Sequence, residues 1–423
     1  MLSRREDGAV ARRRLCTLAP PMLEAAGAPA RSEVPAMSEG FVYDPFVPEF
    51  HAQAHAVYRR LRDDFPVYHN AERDFWAIAR FQDAWDAVSD PSRFNVEGLE
   101  EAQTLLPMLN FLDPPRHDRL RGLVSRAFTH RRVEEMEGRV RAIARELLDG
   151  FSGQGACELV EAYTTPLPGR VIADMIGVPP DRRETFLHWT RQMLVSDPNK
   201  SIEENIREPS ERIYEEFGRL IEERRSARRD DLVSALLDAE IDGERLSDPE
   251  IQGFCYQLIV AGNDTTTSLI GNGVALLAEH PEQRALLARE PERIPAAVEE
   301  MLRFESPAQA LPRSAARELE MHGQRIPEGA RVLLVWASAN RDEREFEDPE
   351  RFDVRRKMKR HLALGHGIHF CLGASLARLE ARVAFEELLA RIPDYTIEEE
   401  PSWIPSRWAR AHPTLQFRFD AAA

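Results

Sequence analysis

Cys371 lies in "LALGHGIHFCLG" (362–373), bracketed by Gly365, Gly367 and Gly373 and preceded by His366 and His369. Three kinds of chemistry could use such a thiol: an inert core residue, a metal ligand beside histidines, or an axial ligand to a larger cofactor. Glycine builds an apolar pocket poorly, which argues against the first. Zinc sites pair their ligands as CxxC or HxxxH, a spacing that His361, His366, His369 and Cys371 do not follow. The run "CLGASLARLEARVAFEELLARI" (371–392) reads as an amphipathic helix with Cys371 at its start. Free N–H groups and the positive dipole end there favour a thiolate. A thiolate held by backbone N–H groups in a loop without bulky side chains suits an iron porphyrin.

A second constellation is "AGNDTTT" (261–267). Read alone, it is a helical stretch containing several poor helix formers. Yet Thr265 follows Ala261 by one turn, so its hydroxyl can bond the i−4 carbonyl and open the helix locally. Asp264 adds an ionisable group to an apolar helix. Breaking an O–O bond needs protons delivered while bulk water is kept out, and an alcohol beside a carboxylate can do this.

These residues need elements to hold them. "LSDPEIQGFCYQLIVAGNDTTTSLIGNGVALLAEHP" (246–281) opens with a Ser247 cap and Pro249 in the first turn, and closes before Pro281. The pattern predicts a helix of roughly 30 residues, about 45 Å long at 1.5 Å per residue. Apolar on nearly every face, it must run through the middle of the fold. Segments 132–151 and 211–229 read as amphipathic helices. Strands are few: a hairpin in 66–80, two or three short strands in 317–338 and one in 413–419. No period of repeats appears and no linker divides residues 40–423. The expectation is mainly α with a minor β region, in one large domain over 38–423.

A net charge of −16 on 423 residues argues against a nucleic-acid partner. Cys16, Cys157, Cys255 and Cys371 form no CxxC pair, so free thiols in a reducing cytoplasm are expected. No run of about 18 apolar residues predicts a membrane span. Residues 1–37, rich in Arg, Ala and Pro, read as a disordered or non-native extension, with Met37 as an alternative start.

The cysteine loop resembles the haem-binding loop of the cytochromes P450. "AGNDTTT" resembles that family's alanine–glycine pair followed by an acid and a threonine. Motifs in the family's order cover about residues 43–419. The resemblance implies haem b (iron protoporphyrin IX) between the long central helix and the helix after the loop. Cys371 matches the axial thiolate on iron. His369, His117 and Arg121 of "HDRLR" and Arg313 match contacts to the haem propionates. Leu364, Gly365 and Gly373 shape the loop, Leu364 standing where the family usually has Phe. Ala261 and Gly262 make room for oxygen and substrate, Thr265 binds dioxygen and Asp264 relays protons. Glu300 and Arg303 of "EEMLR" match the family's Glu-x-x-Arg, with Arg351 of "DPERFD" as the third member of a buried structural network.

The implied activity is that of a haem-thiolate monooxygenase, inserting one atom of O2 into a hydrophobic small molecule by hydroxylation or epoxidation. Family position assigns substrate contacts to Leu109, Phe111, Met193, Ile259, Leu311 and Trp408, with Asn263 and Gln309 as polar candidates and Arg407 or Arg410 available for a carboxylate. An apolar terpenoid, steroid, fatty acid or polyketide would fit. The basic run "RRKMKRH" (355–361) beside the loop could steer an acidic partner. No GxGxxG follows a strand in these residues, so electrons are expected from a separate ferredoxin and its NAD(P)H-dependent reductase. Two rival activities are a peroxide-driven haem-thiolate peroxygenase and a haem protein that senses or carries a ligand. The intact Asp264–Thr265 pair favours oxygen with reductant.

Overall fold

Ser247 begins the central helix, as its sequence predicts. Its N–H donates to Glu250 Oε2 at 2.8 Å, and Pro249 occupies the first turn, where a missing N–H costs nothing. The helix spans Asp248–Glu279, 32 residues, and ends ahead of Pro281. The computed structural model describes residues 41–99, 108–194, 202–398, 401–404, 406 and 408–420. The N-terminal extension therefore lies outside the described residues.

The central helix is the axis of the largest core cluster, which gathers Leu167, Phe217, Met301, Val383 and Phe385 around Ile270 and Val274. Pressing on it are the helices Pro166–Ile176, Ile202–Ser226, Ile294–Phe304 and Ala374–Arg391. Segment 132–151 forms two helices rather than one, His130–Glu135 and Glu137–Asp149, with Met136 at the junction. The helix expected over 211–229 starts earlier, at Ile202, and runs through Pro209. An interior proline costs about 3 kcal/mol. Burial of Ile213, Phe217, Leu220 and Ile221 on the core offsets it.

Strands are short and lie to the sides. One five-stranded sheet runs in the order Val67–Asn70, Phe75–Ile78, Arg331–Leu334, Leu311–Ala315, Phe94–Asn95. Val332 pairs in parallel with Trp76 and antiparallel with Arg313, which fixes Arg313 on a central strand. A second sheet joins Tyr395–Ile397, Gln416–Phe419 and Ala156–Glu158. The fold is mainly helical with a minor sheet region, as expected. No helix among the described residues is long and apolar enough to cross a membrane.

Candidate active site

The cysteine loop is held from outside and from both ends. Gly365 and Gly367 both adopt φ 68°. A β-carbon on Gly367 would sit 2.6 Å from the Val88 carbonyl oxygen, and one on Gly365 would sit 3.3 Å from the Trp336 ring. Left-handed backbone and close approach together require glycine at these two positions. His366 stacks on Trp85 with ring centroids 3.7 Å apart. The Cys371 N–H donates to the carbonyl of half-buried Leu364 at 2.9 Å. Glu299 ties the two ends of the loop together, taking His361 Nε2 at 3.0 Å and Arg378 at 2.6 and 2.8 Å. Burial raises the Glu299 pKa, but the bonds from Arg378 and His361 outweigh it and bring it down to about 2. Glu299 escaped the sequence reading.

Cys371 precedes the helix Ala374–Arg391, and Gly373 is the N-cap. Burial pushes the thiol pKa up, while the Gly373 N–H and the charges of Arg121 and Arg378 work against it. The net direction is upward, contrary to the expectation from the helix dipole. Arg121 and Arg378 pull the thiol the other way, so positive charge near the sulfur favours the thiolate.

Four basic side chains converge beside this loop. The rings of His117 and His369 meet edge to face, centroids 4.7 Å apart, and the Nε2 of each is buried without a partner. Arg313 is buried on its strand, and its Nη1 donates to the neighbouring Pro312 carbonyl at 2.8 Å. Arg121 Nη2 donates to the Phe370 carbonyl at 2.9 Å. Burial, with the charges of Arg313, His117 and Arg121, pushes His369 down to about 3. Burial likewise lowers Arg313 to about 10, against the pull of Asp113. Buried donors in this number call for an anion rich in acceptor oxygens. A flat iron porphyrin carries two such carboxylates and a metal for the thiol, so this donor set fits haem.

The central helix presents one open stripe. Val260 is 40% exposed and Ala261 is exposed, while Asp264 and Thr265 are half-buried, in a helix otherwise packed on its sides. Thr265 Oγ1 donates to the Ala261 carbonyl at 2.6 Å, the expected i−4 bond. Gly262 backs onto another helix, where a β-carbon would lie 3.1 Å from Ile172 Cδ1. Burial raises the Asp264 pKa to about 7, with a hydrogen bond from the Asn263 side chain working against the rise. Behind the stripe, Glu380 is fully buried, and burial raises it to about 8 against the pull of the Thr266 side chain. Glu380 was also missed; nothing in its helix pattern marks it as different from a surface acid.

The family profile for cytochrome P450 matches residues 185–400. The protein described as putative cytochrome P450 YjiB of Bacillus subtilis is 40% identical over 343 residues, covering 79% of this chain and 86% of that one. The chain belongs to the cytochrome P450 family. CYP109Q5 from Chondromyces apiculatus superposes with a TM-score of 0.85 at 41% identity, covering 90% of this chain and 98% of that one. CYP109E1 from Bacillus megaterium, solved in complex with corticosterone, gives 0.83 at 34% identity, covering 88% and 99%. This P450 is a haem-dependent monooxygenase; it takes O2, a hydrophobic substrate and electrons from redox partners.

Several expected residues of this P450 lie elsewhere. Ile259 is buried in the main core, and its neighbour Val260 takes the open face instead. Asn263 is buried and turned toward the helix Pro166–Ile176, where Gly169 makes room for it. Gln309 is used up structurally: Tyr58 Oη donates to its Oε1 at 2.8 Å, and its Nε2 donates to the Ser406 and Ala409 carbonyls at 3.0 and 3.2 Å. Trp408 packs on the N-terminal aromatic cluster. Arg410 is locked to Glu305 at 2.6 Å and to the His51 carbonyl at 3.0 Å, so it is not free to clamp a carboxylate. Leu109 is buried, its N–H donating to Gln257 Oε1 at 2.8 Å, and Phe111 and Leu311 are half-buried. The Met193 side chain and Arg407 lie outside the described residues.

The charge network also differs. Glu300 and Arg303 are 0% exposed and share two bonds at 2.7 and 2.8 Å, as expected. Arg351 joins them only through its backbone carbonyl, to which Arg303 Nη2 donates at 3.5 Å. Its side chain is 63% exposed and pairs with Asp353 and Asp348. Arg356 takes the place instead, with Nε 3.1 Å from Glu300 Oε1. The basic run is therefore split. Arg356, Arg360 and His361 are turned inward onto Glu300, Glu345 and Glu299, and Arg355, Lys357 and Lys359 stay exposed.

Proposed function

We propose that this P450 inserts one oxygen atom of O2 into a C–H or C=C bond of an apolar, steroid-sized molecule, with electrons from a ferredoxin and its NAD(P)H-dependent reductase. The observation that carries the reading is the Asp264–Thr265 pair on the open stripe of the central helix. Bound haem supplies the oxygen chemistry, its thiolate ligand favouring O–O cleavage.

The chain's own residues do the rest. Cys371 would hold the iron, inside a loop shaped by Leu364, Gly365 and Gly373. His117, Arg121, Arg313 and His369 would hold the propionates. Asp264, raised to about 7, can keep and release a proton near neutral pH. Thr265 keeps its hydroxyl beside that acid, on the Ala261 carbonyl. Ala261 and Gly262 leave space there. Val260, Phe111 and Leu311 supply apolar surface that excludes water.

The corticosterone bound by CYP109E1 supports the substrate size. Exposed Arg355, Lys357 and Lys359 support an acidic electron donor. Free Cys157, Cys255 and Cys371 support a reducing cytoplasm.

Reconstitution with ferredoxin, reductase, NAD(P)H and steroid substrates tests the reading. Product should form, and Thr265→Ala should keep consuming reductant while product falls. Unchanged coupling in that variant would contradict the proton assignment. Turnover with peroxide alone, and none with ferredoxin, would favour the peroxygenase; no turnover with either would favour a carrier.

A further inference from the structure

Gln257 stands on the central helix one turn before Ala261 and two before Asp264. That spacing puts it on the face of Val260, Ala261 and Asp264, at the far end of the open stripe. It is half-buried, whereas residues 254–256, 258 and 259 around it are all buried. Its Oε1 accepts the Leu109 N–H at 2.8 Å. That N–H opens the short helix Leu109–Phe111, which leaves it without a partner of its own.

This bond fixes which way the amide faces. The oxygen must meet the N–H, so Nε2 turns the other way. Nε2 donates to no described residue, yet it is not among the buried atoms left without a partner. It is a hydrogen-bond donor open to the space in front of the stripe. Its neighbours there are apolar: Val260 on the helix, Leu109 and Phe111 on the segment above.

We infer that Gln257 is a specificity-determining residue whose amide N–H takes an acceptor oxygen of the substrate, a ketone or a hydroxyl. Gln257 precedes Thr265 by eight residues, about 12 Å along the helix at 1.5 Å per residue. The preferred substrate therefore carries its oxygen at one end of an elongated apolar skeleton and is oxidised at the other. A steroid with an A-ring ketone, oxidised on its D ring, has this form. A hydrocarbon of the same shape would cover the donor without pairing it and lose affinity. The inference rests on the reading of the Asp264–Thr265 end of the stripe as the place of oxidation.

Two variants test it in the haem-loaded enzyme. Gln257→Glu, ionised at alkaline pH, keeps an acceptor for the Leu109 N–H and has no donor. Gln257→Leu removes both. Binding of androstan-3-one and of androstane is read by the Soret shift and by calorimetry. Wild type should favour the ketone roughly three- to tenfold. Both variants should lose that preference, and the products of the ketone should spread over more carbons. Were Gln257 only a support for Leu109, Gln257→Glu would keep the wild-type preference and product pattern, which would overturn the inference. Should wild type bind both compounds and oxidise neither, the reading of the stripe fails, while the binding preference still decides the role of Gln257.

Discussion

His117 and His369 meet edge to face at 4.7 Å, each with a buried Nε2 that has no partner. Two elements far apart in sequence, the helix Arg116–Ala127 and the cysteine loop, thus present donors to one spot. A charge-assisted hydrogen bond is worth about 1.5–3 kcal/mol. Replacing Arg313 by Leu or His117 by Phe should therefore speed haem transfer to apomyoglobin by roughly ten- to hundredfold. Wild-type transfer rates in both variants would place the propionates elsewhere.

Gly367 combines φ 68° with a β-carbon position 2.6 Å from the Val88 carbonyl. Left-handed backbone alone costs a β-carbon about 1–2 kcal/mol. Gly367→Ala should lower the denaturant midpoint of the haem-free protein and prevent haem loading. Gly373 has φ −79° and a β-carbon position 3.9 Å from the Cys371 sulfur. Gly373→Ala should leave haem-free stability within about 0.5 kcal/mol.

Arg356, not Arg351, completes the Glu300–Arg303 pair. Arg303→Ala leaves a buried carboxylate short of its main partner and should cost about 3–5 kcal/mol. Arg356→Ala should cost about 1–3 kcal/mol, since Arg303 still serves Glu300. Arg351→Ala should change stability by no more than about 0.5 kcal/mol. Urea unfolding of the three variants gives the order directly; equal losses for Arg351 and Arg356 would refute it.

Glu380 sets a pH dependence of stability. Its folded pKa is about 8 because burial raises it, so the unfolded chain gives up this proton first. Its contribution is most favourable at low pH and declines as pH rises from the ordinary carboxylate range through about 8. In Glu380→Gln the fall in unfolding free energy between pH 5 and 8 should be shallower than in wild type, by an amount on the order of a few kcal/mol. Parallel curves would show that Glu380 is ionised in the fold.

The chemistry-bearing residues were legible in the sequence because they are local. The loop around Cys371, the i−4 bond from Thr265 to Ala261 and the Glu300–Arg303 pair each depend on a few neighbouring positions. What failed depends on rotation or on distant partners. The central helix is apolar on nearly all sides, so no pattern tells whether Ile259 or Val260 faces the open space. Arg351 and Arg356 flank the same turn with equal charge, and only the packed position of Glu300 selects one. Gln309 looks free to meet a ligand until Tyr58, from the far end of the chain, takes its oxygen. Helix 202–226 passes Pro209 because tertiary burial overrides a local breaker.

The central claim is that Cys371 carries the iron as a thiolate. The reduced protein with carbon monoxide tests it most directly. A strongly red-shifted Soret band, lost in Cys371→Ala, is the predicted result. A folded, haem-replete sample with no red-shifted band, or one whose band survives Cys371→Ala, would contradict it.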